Sequence, residues 1–363
     1  MKQEIYKPSF LFFSILIGAL IAPFYRFFNL LRPNTLFQVE MVKTILVAEY
    51  HRIGDVLMII PALHALKERF NKDVRIILLC SSSSAPLARD LELANEVITF
   101  DAPWTTWSFS PFKWIQARSF ARSLRNRHID LAIDFKGDIR NSWFLWHIKS
   151  KHSLGYAATG GNYFFSRTFP FPFQMHQTKR AMNLVSKIED KCTVLIEPNW
   201  VVKKSGYVVL HPGTVDQKRS WPLCHWITLI NSLKDDFKLA IVKTKESEDI
   251  VYSVQKNKLP IYIFEGDIIQ FKNWLKEQRL LIAPDSMAGH LAAYLGIPVI
   301  SLFGAQNPEL TKPLGDKNII EKPVNECSHQ RDHWRLCSAC MKTVEPVSVR
   351  ESVINLVMCN YEK

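Results

Sequence analysis

Residues 45–70 read ILVAEYHRIGDVLMIIPALHALKERF, and this stretch decides the fold. Thr44–Glu49 is a short apolar run of strand length. Gly54 follows, permitting a tight turn, and from Asp55 to Phe70 apolar residues return at helical spacing, with Lys67, Glu68 and Arg69 at the end. A strand passing through a turn into a helix opens a βα unit. Working outward, Val74–Leu79, Val97–Phe100 and Leu131–Asp134 are three further strands. The basic helix Lys113–Arg127 lies between the last two, and Asp138–Ile148 is a helix after the fourth. This alternation predicts a parallel sheet with helices on both faces.

From Gly155 to Lys204 the pattern weakens, punctuated by Gly160, Gly161, Pro170, Pro172 and Pro198. That region reads as the end of one domain and the crossing to a second. The alternation restarts at Gly206, with strands at Tyr207–His211, Lys238–Val242, Ile261–Phe264, Leu280–Ala283 and Val299–Phe303. Helices fall at Leu223–Lys234, Glu246–Lys256, Ile268–Glu277, Ser286–Leu295 and Val347–Cys359. A chain of 363 residues accommodates two cores. The expected fold class is therefore α/β, with two doubly wound, Rossmann-like lobes. Ligands of such sheets bind outside the carboxyl ends of the strands, which for two facing lobes is the cleft between them. The expected divisions are a hydrophobic N-terminal segment (1–42), a first lobe (43–200), a second lobe (201–346) and a C-terminal helix (347–363) free to return to the first lobe.

The apolar content of 47% and charged content of 22% fit a packed globular protein and exclude a disordered one. A net charge of +12 calls for an anionic partner: nucleic acid, an anionic membrane surface or a phosphorylated substrate. Seven cysteines, an odd number, argue against a closed disulfide framework, and reduced thiols suit a cytoplasmic location. Cys80, Cys192 and Cys224 read as small core residues.

Pro8 to Tyr25 carries no charge, and Phe27, Phe28, Leu30 and Leu31 extend the apolar run past Arg26. The run only just reaches spanning length, and Pro23 interrupts it. A signal-anchor, an interfacial helix and a buried arm are all compatible with it. The aromatic and arginine flanks favour membrane attachment. Arg26, Arg32 and Lys43 follow the run, while Lys2 and Lys7 precede it; the expected side for the catalytic part is cytoplasmic.

Four motifs sit at strand ends. In Arg52-Ile53-Gly54-Asp55, a carboxylate in the first helical turn can accept a proton from an attacking hydroxyl. A helix-start aspartate facing the macrodipole would occupy the same position. His211-Pro212-Gly213-Thr214, followed by Lys218-Arg219-Ser220-Trp221-Pro222, offers the hydroxyl, amides and cations that a diphosphate needs, or a solvated basic loop. Ala283-Pro284-Asp285-Ser286-Met287-Ala288-Gly289-His290 offers helix N-terminal amides and a sugar-binding aspartate, or a capping Asp and a packed His. Ser301 to Pro308 is a strand ending in a loop of ordinary turn residues, Gly304 and Asn307.

Order, spacing and setting together resemble the glycosyltransferase family that includes the ADP-heptose:lipopolysaccharide heptosyltransferases, family 9. The opening stretch, "LAIDFKGDIRNS" (131–142), "HPGTVDQKRSWP" (211–222), "APDSMAGHLAAYLGIPVISLFGAQNP" (283–308) and "CSACMKTVEPVSV" (337–349) follow in family order. The resemblance covers nearly everything after Lys43. It implies a GT-B-type fold of two facing Rossmann-like domains, a nucleotide-sugar donor held mainly by the second, and inversion without a metal cofactor. Asp55 matches the family's proposed general base, and Asp285 the acid that contacts donor-sugar hydroxyls. Ser286, Gly289 and His290 match the surrounding donor loop, in which Ser286 and Met287 would present helix N-terminal amides to an anion, and Thr214 falls near a phosphate-contacting hydroxyl. The family's phosphate-binding Lys is displaced here: Arg219, not Lys218, lies two places before Trp221, and either is a candidate. The donor favoured by the resemblance is ADP-heptose, and the acceptor an anionic glycolipid such as a lipopolysaccharide core. The expected location is the cytoplasmic face of the inner membrane.

An acceptor surface is expected in the first lobe. Arg118, Arg122 and Arg125 share a helix face, and Lys136 and Arg140 lie in a nearby strand-end turn. The same cations suit an anionic leaflet, or a plain solvated face. The spacing Cys327-x-His329-x3-His333-x3-Cys337-x2-Cys340 has the form of a zinc site, against which stand reduced loop thiols or a local disulfide. The expected metal complement of the reaction is none. Competing readings are a transferase of the same family with another donor, a nucleotide-sugar epimerase, and a non-catalytic membrane-tethered nucleotide-sugar binder. Nucleic-acid binding rests on charge alone, without a recognised module.

Overall fold

The computed structural model describes residues 8–31, 36–70, 73–105, 110–188, 203, 205–315, 318–325, 327 and 337–358. The chain divides into two compact units, residues 1–195 and 196–363. The expected boundary at 200 lies outside the described residues, as do Lys2, Lys7, Arg32, Cys192, Pro198, His329, His333 and Cys359.

The first unit holds strands β1 (Thr44–Glu49), β2 (Arg75–Cys80), β3 (Glu96–Thr99), β4 (Leu131–Asp134), β5 (His152–Tyr156) and β6 (Arg167–Phe169). Its helices are α1 (Pro8–Leu30), α2 (Ile53–Met58), α3 (Ile60–Arg69), α4 (Ala85–Asp90), α5 (Pro111–Ser123), α6 (Ile139–Ile148) and α7 (Gln177–Ser186). The second unit holds β7 (Val208–Leu210), β8 (Leu239–Val242), β9 (Ile261–Phe264), β10 (Leu280–Pro284), β11 (Val299–Leu302) and β12 (Ile319–Glu321). Its helices are α8 (Leu223–Leu233), α9 (Glu248–Lys256), α10 (Ile268–Leu275), α11 (Met287–Tyr294), α12 (Pro308–Thr311), α13 (Ser338–Met341) and α14 (Pro346–Met358).

Each unit is one parallel sheet. The orders β3-β2-β1-β4-β5-β6 and β12-β11-β10-β7-β8-β9 are the same topology, with the first strand of each unit central and the direction of winding reversing beside it. The central strands are buried on both faces, which explains why they read as unbroken apolar runs. The reversal falls at β1/β4 in one unit and β7/β10 in the other. It places the turns after β1, β4, β7 and β10 at the carboxyl edge, where ligands of this topology bind.

The expected helix from Asp55 to Phe70 is two helices. Pro61, at the second position of α3, has no N–H to bond the Leu57 carbonyl, and the chain breaks at Ile59 (φ −94, ψ −2). Gly54 lies inside α2 and is not among the positive-φ glycines, so its backbone makes no demand that only glycine meets. Helix α1, by contrast, continues through Pro23. The C-terminal helix α14 packs in the second unit's own core: Val349, Val353, Leu356 and Val357 join Trp226, Ile230 and Leu302.

Candidate active site

Asp55 stands in the first turn of α2, just past the carboxyl end of β1, where the sequence pattern puts it. Its carboxylate is enclosed by donors. Lys136 Nζ lies 2.7 Å from Oδ1, Gln177 Nε2 donates to Oδ1 at 2.7 Å, and the Arg52 amide donates to Oδ2 at 3.1 Å. Burial by itself would raise the carboxyl's pKa. The charges of Lys136 and His51 and the bonds from Lys136 and Gln177 outweigh it and hold the pKa well below the usual carboxylate range. Lys136 also lies 3.5 Å from the buried Glu49, which in turn holds His51 Nδ1 at 2.9 Å. Glu49, His51 and Gln177 were not singled out from the sequence. Gln177 arrives on α7, which packs against α3, and no local pattern announces that contact.

Lys136 is aimed by the turn after β4. Asp134, fully buried, accepts from the amides of Lys136 (3.1 Å) and Gly137 (2.9 Å) and from Asn141 Nδ2 (3.1 Å). Gly137 has φ +72, and a Cβ there would lie 3.0 Å from the Ala158 amide, so only glycine closes this turn. Burial pushes the Asp134 carboxyl up to about 6, despite those three bonds. Arg140 is already engaged: its Nε donates to Asp138 Oδ1 at 2.8 Å.

The structure does not bring the α5 arginines to this site. Arg125 donates from Nε to the His147 carbonyl (3.0 Å), at the C-terminal end of α6, the helix whose N-terminal end carries Arg140. The 3-10 turn that follows Arg122 ends beside Arg127, which pairs at 2.9 Å with Glu96, the first residue of β3. Arg125 thus stands at the amino edge of the sheet, and Lys136 and Asp55 at the carboxyl edge. Arg118 and Arg122 are exposed on the outer face of α5, beside Phe112 and Ile115, which are 77% and 64% exposed.

In the second unit, Asp285 follows β10 and is buried. Arg219 Nη1 lies 3.1 Å from its Oδ2, and Gln306 Nε2 donates to the same oxygen at 2.6 Å. The loops after β7, β10 and β11 therefore meet at one carboxylate. Ser286 is the N-cap of α11, with a buried Oγ that has no hydrogen-bond partner among the described residues, and Arg219 Nε is in the same condition. Lys218, next to Arg219 in the 3-10 turn Gln217–Arg219, is exposed. Met287 is half-buried, whereas Gly289 and His290 lie on the inner side of α11. Gly289 faces Pro313 and Ser301, so packing accounts for it. Thr214 and His211 are buried, and burial pushes the His211 imidazole down to about 4, leaving it neutral near pH 7. It is no cation for a phosphate.

Among the described residues, the cluster able to offer three ligands to one metal ion is Cys327, Cys337 and Cys340.

The model of glycosyltransferase family 9 (heptosyltransferase) matches residues 117–338. The chain is 22% identical over 219 residues to lipopolysaccharide heptosyltransferase 1 of Pseudomonas aeruginosa, a match spanning 56% of this chain and 62% of that protein. Among solved structures, E. coli heptosyltransferase WaaC with ADP superposes with a TM-score of 0.70 at 16% identity, over 86% of this chain and 99% of that one. E. coli ADP-heptose lps heptosyltransferase II gives a TM-score of 0.71 at 15% identity, over 88% and 99%.

Proposed function

The chain belongs to glycosyltransferase family 9, and on that premise we propose that it moves heptose from ADP-heptose onto a lipopolysaccharide-core acceptor in one inverting displacement that uses no divalent metal. Asp55 takes the proton of the acceptor hydroxyl as its oxygen attacks the anomeric carbon. Lys218, the amides at the start of α11 and Ser286 receive the departing diphosphate. Arg219 is committed to Asp285 and holds that carboxylate toward the sugar hydroxyls. The observation that carries the donor reading is the pair of buried, unpartnered polar atoms, Ser286 Oγ and Arg219 Nε, flanking Asp285. Buried polar atoms are ordinarily satisfied, and these two, without a partner among the described residues, lie on either side of one carboxylate at the end of β10.

The test is acceptor-dependent release of ADP from ADP-heptose in EDTA, run beside other nucleotide-sugars, with the anomeric configuration of the product read by NMR. A different donor turned over would correct the substrate. A strict requirement for added divalent cation would remove the metal-free step. Epimerised sugar without an acceptor would replace the reading altogether.

The acceptor is a lipid-borne glycan, and the first unit carries a surface suited to a membrane. Helix α1 has a mean hydropathy of 1.9 over Leu11–Leu30. It docks along one stripe: Ala22 and Tyr25 pack with Tyr163, Phe164 and Trp146, and Asn29 bonds the Tyr163 carbonyl and Trp146 Nε1. Phe12, Phe13, Leu20, Phe24 and Phe27 remain exposed on the rest of the helix. A helix so docked supports an interfacial disposition over a spanning one, because spanning would carry α6 into hydrocarbon. Helix α5 packs on α6 as well, and Phe112, Ile115, Arg118 and Arg122 form its outer stripe. We assign the arginines to anionic headgroups, at about 1 kcal/mol each. In flotation assays, the protein is expected to rise with anionic vesicles and be released by alkaline carbonate. Arg118→Ala with Arg122→Ala should weaken binding to anionic but not neutral vesicles. Resistance to carbonate would favour a spanning anchor.

A further inference from the structure

We infer that Cys327, Cys337 and Cys340 form a thiolate site for one borderline divalent cation, zinc(II) or iron(II), which ties the C-terminal segment beneath the donor loops. The three Sγ atoms lie within 4.8 Å of one another. An ion with metal–sulfur bonds of about 2.3 Å in tetrahedral geometry spaces its sulfurs by roughly 3.8 Å. The cluster is therefore already near the dimensions of one ion. No disulfide joins any two of the three, and one would use only two of them. Cys337 caps α13 and Cys340 is its third residue, so the two-residue spacing returns both sulfurs to one side of a single turn. Cys327 approaches from the chain that leaves β12.

Each thiol loses its proton to solvent as its sulfur bonds the ion, and three of four tetrahedral positions are then filled.

The position gives the ion a purpose. Helix α13 has four residues, too few to persist on its own hydrogen bonds. It packs against the turn Gln217–Arg219 that carries both candidate phosphate cations. Met341, fully buried, lies under Gly304, where an added Cβ would come 2.8 Å from its Sδ. Trp221 Nε1 donates to the Val344 carbonyl at 2.8 Å. The strip from Cys337 to Val344 thus underlies the loops that bear Arg219 and Gln306, and the ion fixes that strip. It takes no part in the displacement.

The test is the metal content of untagged protein purified without chelator, by plasma mass spectrometry. About one zinc or iron per chain is expected, falling to near zero in Cys337→Ser and Cys340→Ser but not in Cys224→Ser, whose thiol is exposed. Because the serine variants are liable to misfold, wild-type protein would also be titrated with an organomercurial. The ion should leave as Cys327, Cys337 and Cys340 are modified, after Cys224 has reacted without release. Purified wild type with substoichiometric metal that takes up neither zinc(II) nor iron(II) under reducing conditions, or a mass lighter by two hydrogens from a disulfide within the trio, would overturn the proposal. So would ion release that coincides with modification of Cys224 and is complete before the trio reacts.

Discussion

Asp55→Asn is expected to lower kcat by about 10³-fold while leaving ADP binding unchanged. The substitution keeps size and an oxygen that accepts from Lys136 and Gln177, at the loss of the one bond that the Arg52 amide gives to Oδ2. What it removes is the proton acceptor. The effect should fall on kcat because the proposed diphosphate contacts, Lys218 and Ser286, belong to the other unit. The base is an unusual one. Lys136 and Gln177 hold it ionised far below neutral pH, which guarantees the correct charge state but makes it a weak base. A weak base cannot strip a sugar hydroxyl before attack. It takes the proton late, once carbon–oxygen bonding has made that hydroxyl acidic. Two measurements check this: single-turnover rates with ADP-heptose, and calorimetry with ADP. Activity within tenfold of wild type would remove Asp55 from the chemistry, and a loss of ADP affinity equal to the loss of rate would recast it as structural.

The sequence made the carboxyl edges of both sheets legible because the relevant signals are local. A buried parallel strand is a contiguous apolar run, and the residues at its end are read directly off the next few positions. Asp55, Asp285, Ser286 and the Lys218-Arg219 pair lie in such turns. Contacts that depend on packing between distant elements left no such trace. Gln177 reaches Asp55 from 122 residues away, and its segment is broken up by prolines and glycines. Strands β5 and β6, three to five residues long and next to aromatic loop segments, were lost in the same region. The arginines of α5 and of the 3-10 turn after it mislead in a different way. Helical spacing puts Arg118, Arg122 and Arg125 on one face, but not at one end of the sheet, and α5 runs back from the carboxyl edge toward the amino edge. Spacing likewise marked Arg219 as a phosphate ligand without revealing that Asp285 occupies it.

Lys136→Met carries the second large effect, and it separates charge from structure. Lys136 Nζ is 2.7 Å from Asp55 and 3.5 Å from Glu49, with the lysine and Asp55 side chains 14% and 21% exposed. Removing the cation leaves two neighbouring carboxylates without their shared partner. Breaking a buried pair costs about 3 kcal/mol at the low end, and the residual exposure argues for that end. The sign of the pH dependence also changes. In the wild type, a depressed Asp55 pKa contributes stability above the unfolded value of about 3.9, lost only as pH falls through the folded value. Without Lys136, burial is opposed only by His51 and the Gln177 bond, and the pKa is expected to rise. The variant should therefore gain stability on mild acidification, where the wild type does not. Its kcat/KM profile should acquire an acid limb displaced toward neutral, because the base is now protonated there. Lys136→Arg keeps the charge and should hold that limb at the low pH of the wild type. An acid limb unmoved in Lys136→Met, with activity lost at every pH, would mean that Lys136 binds the acceptor directly and does not set the ionisation of Asp55.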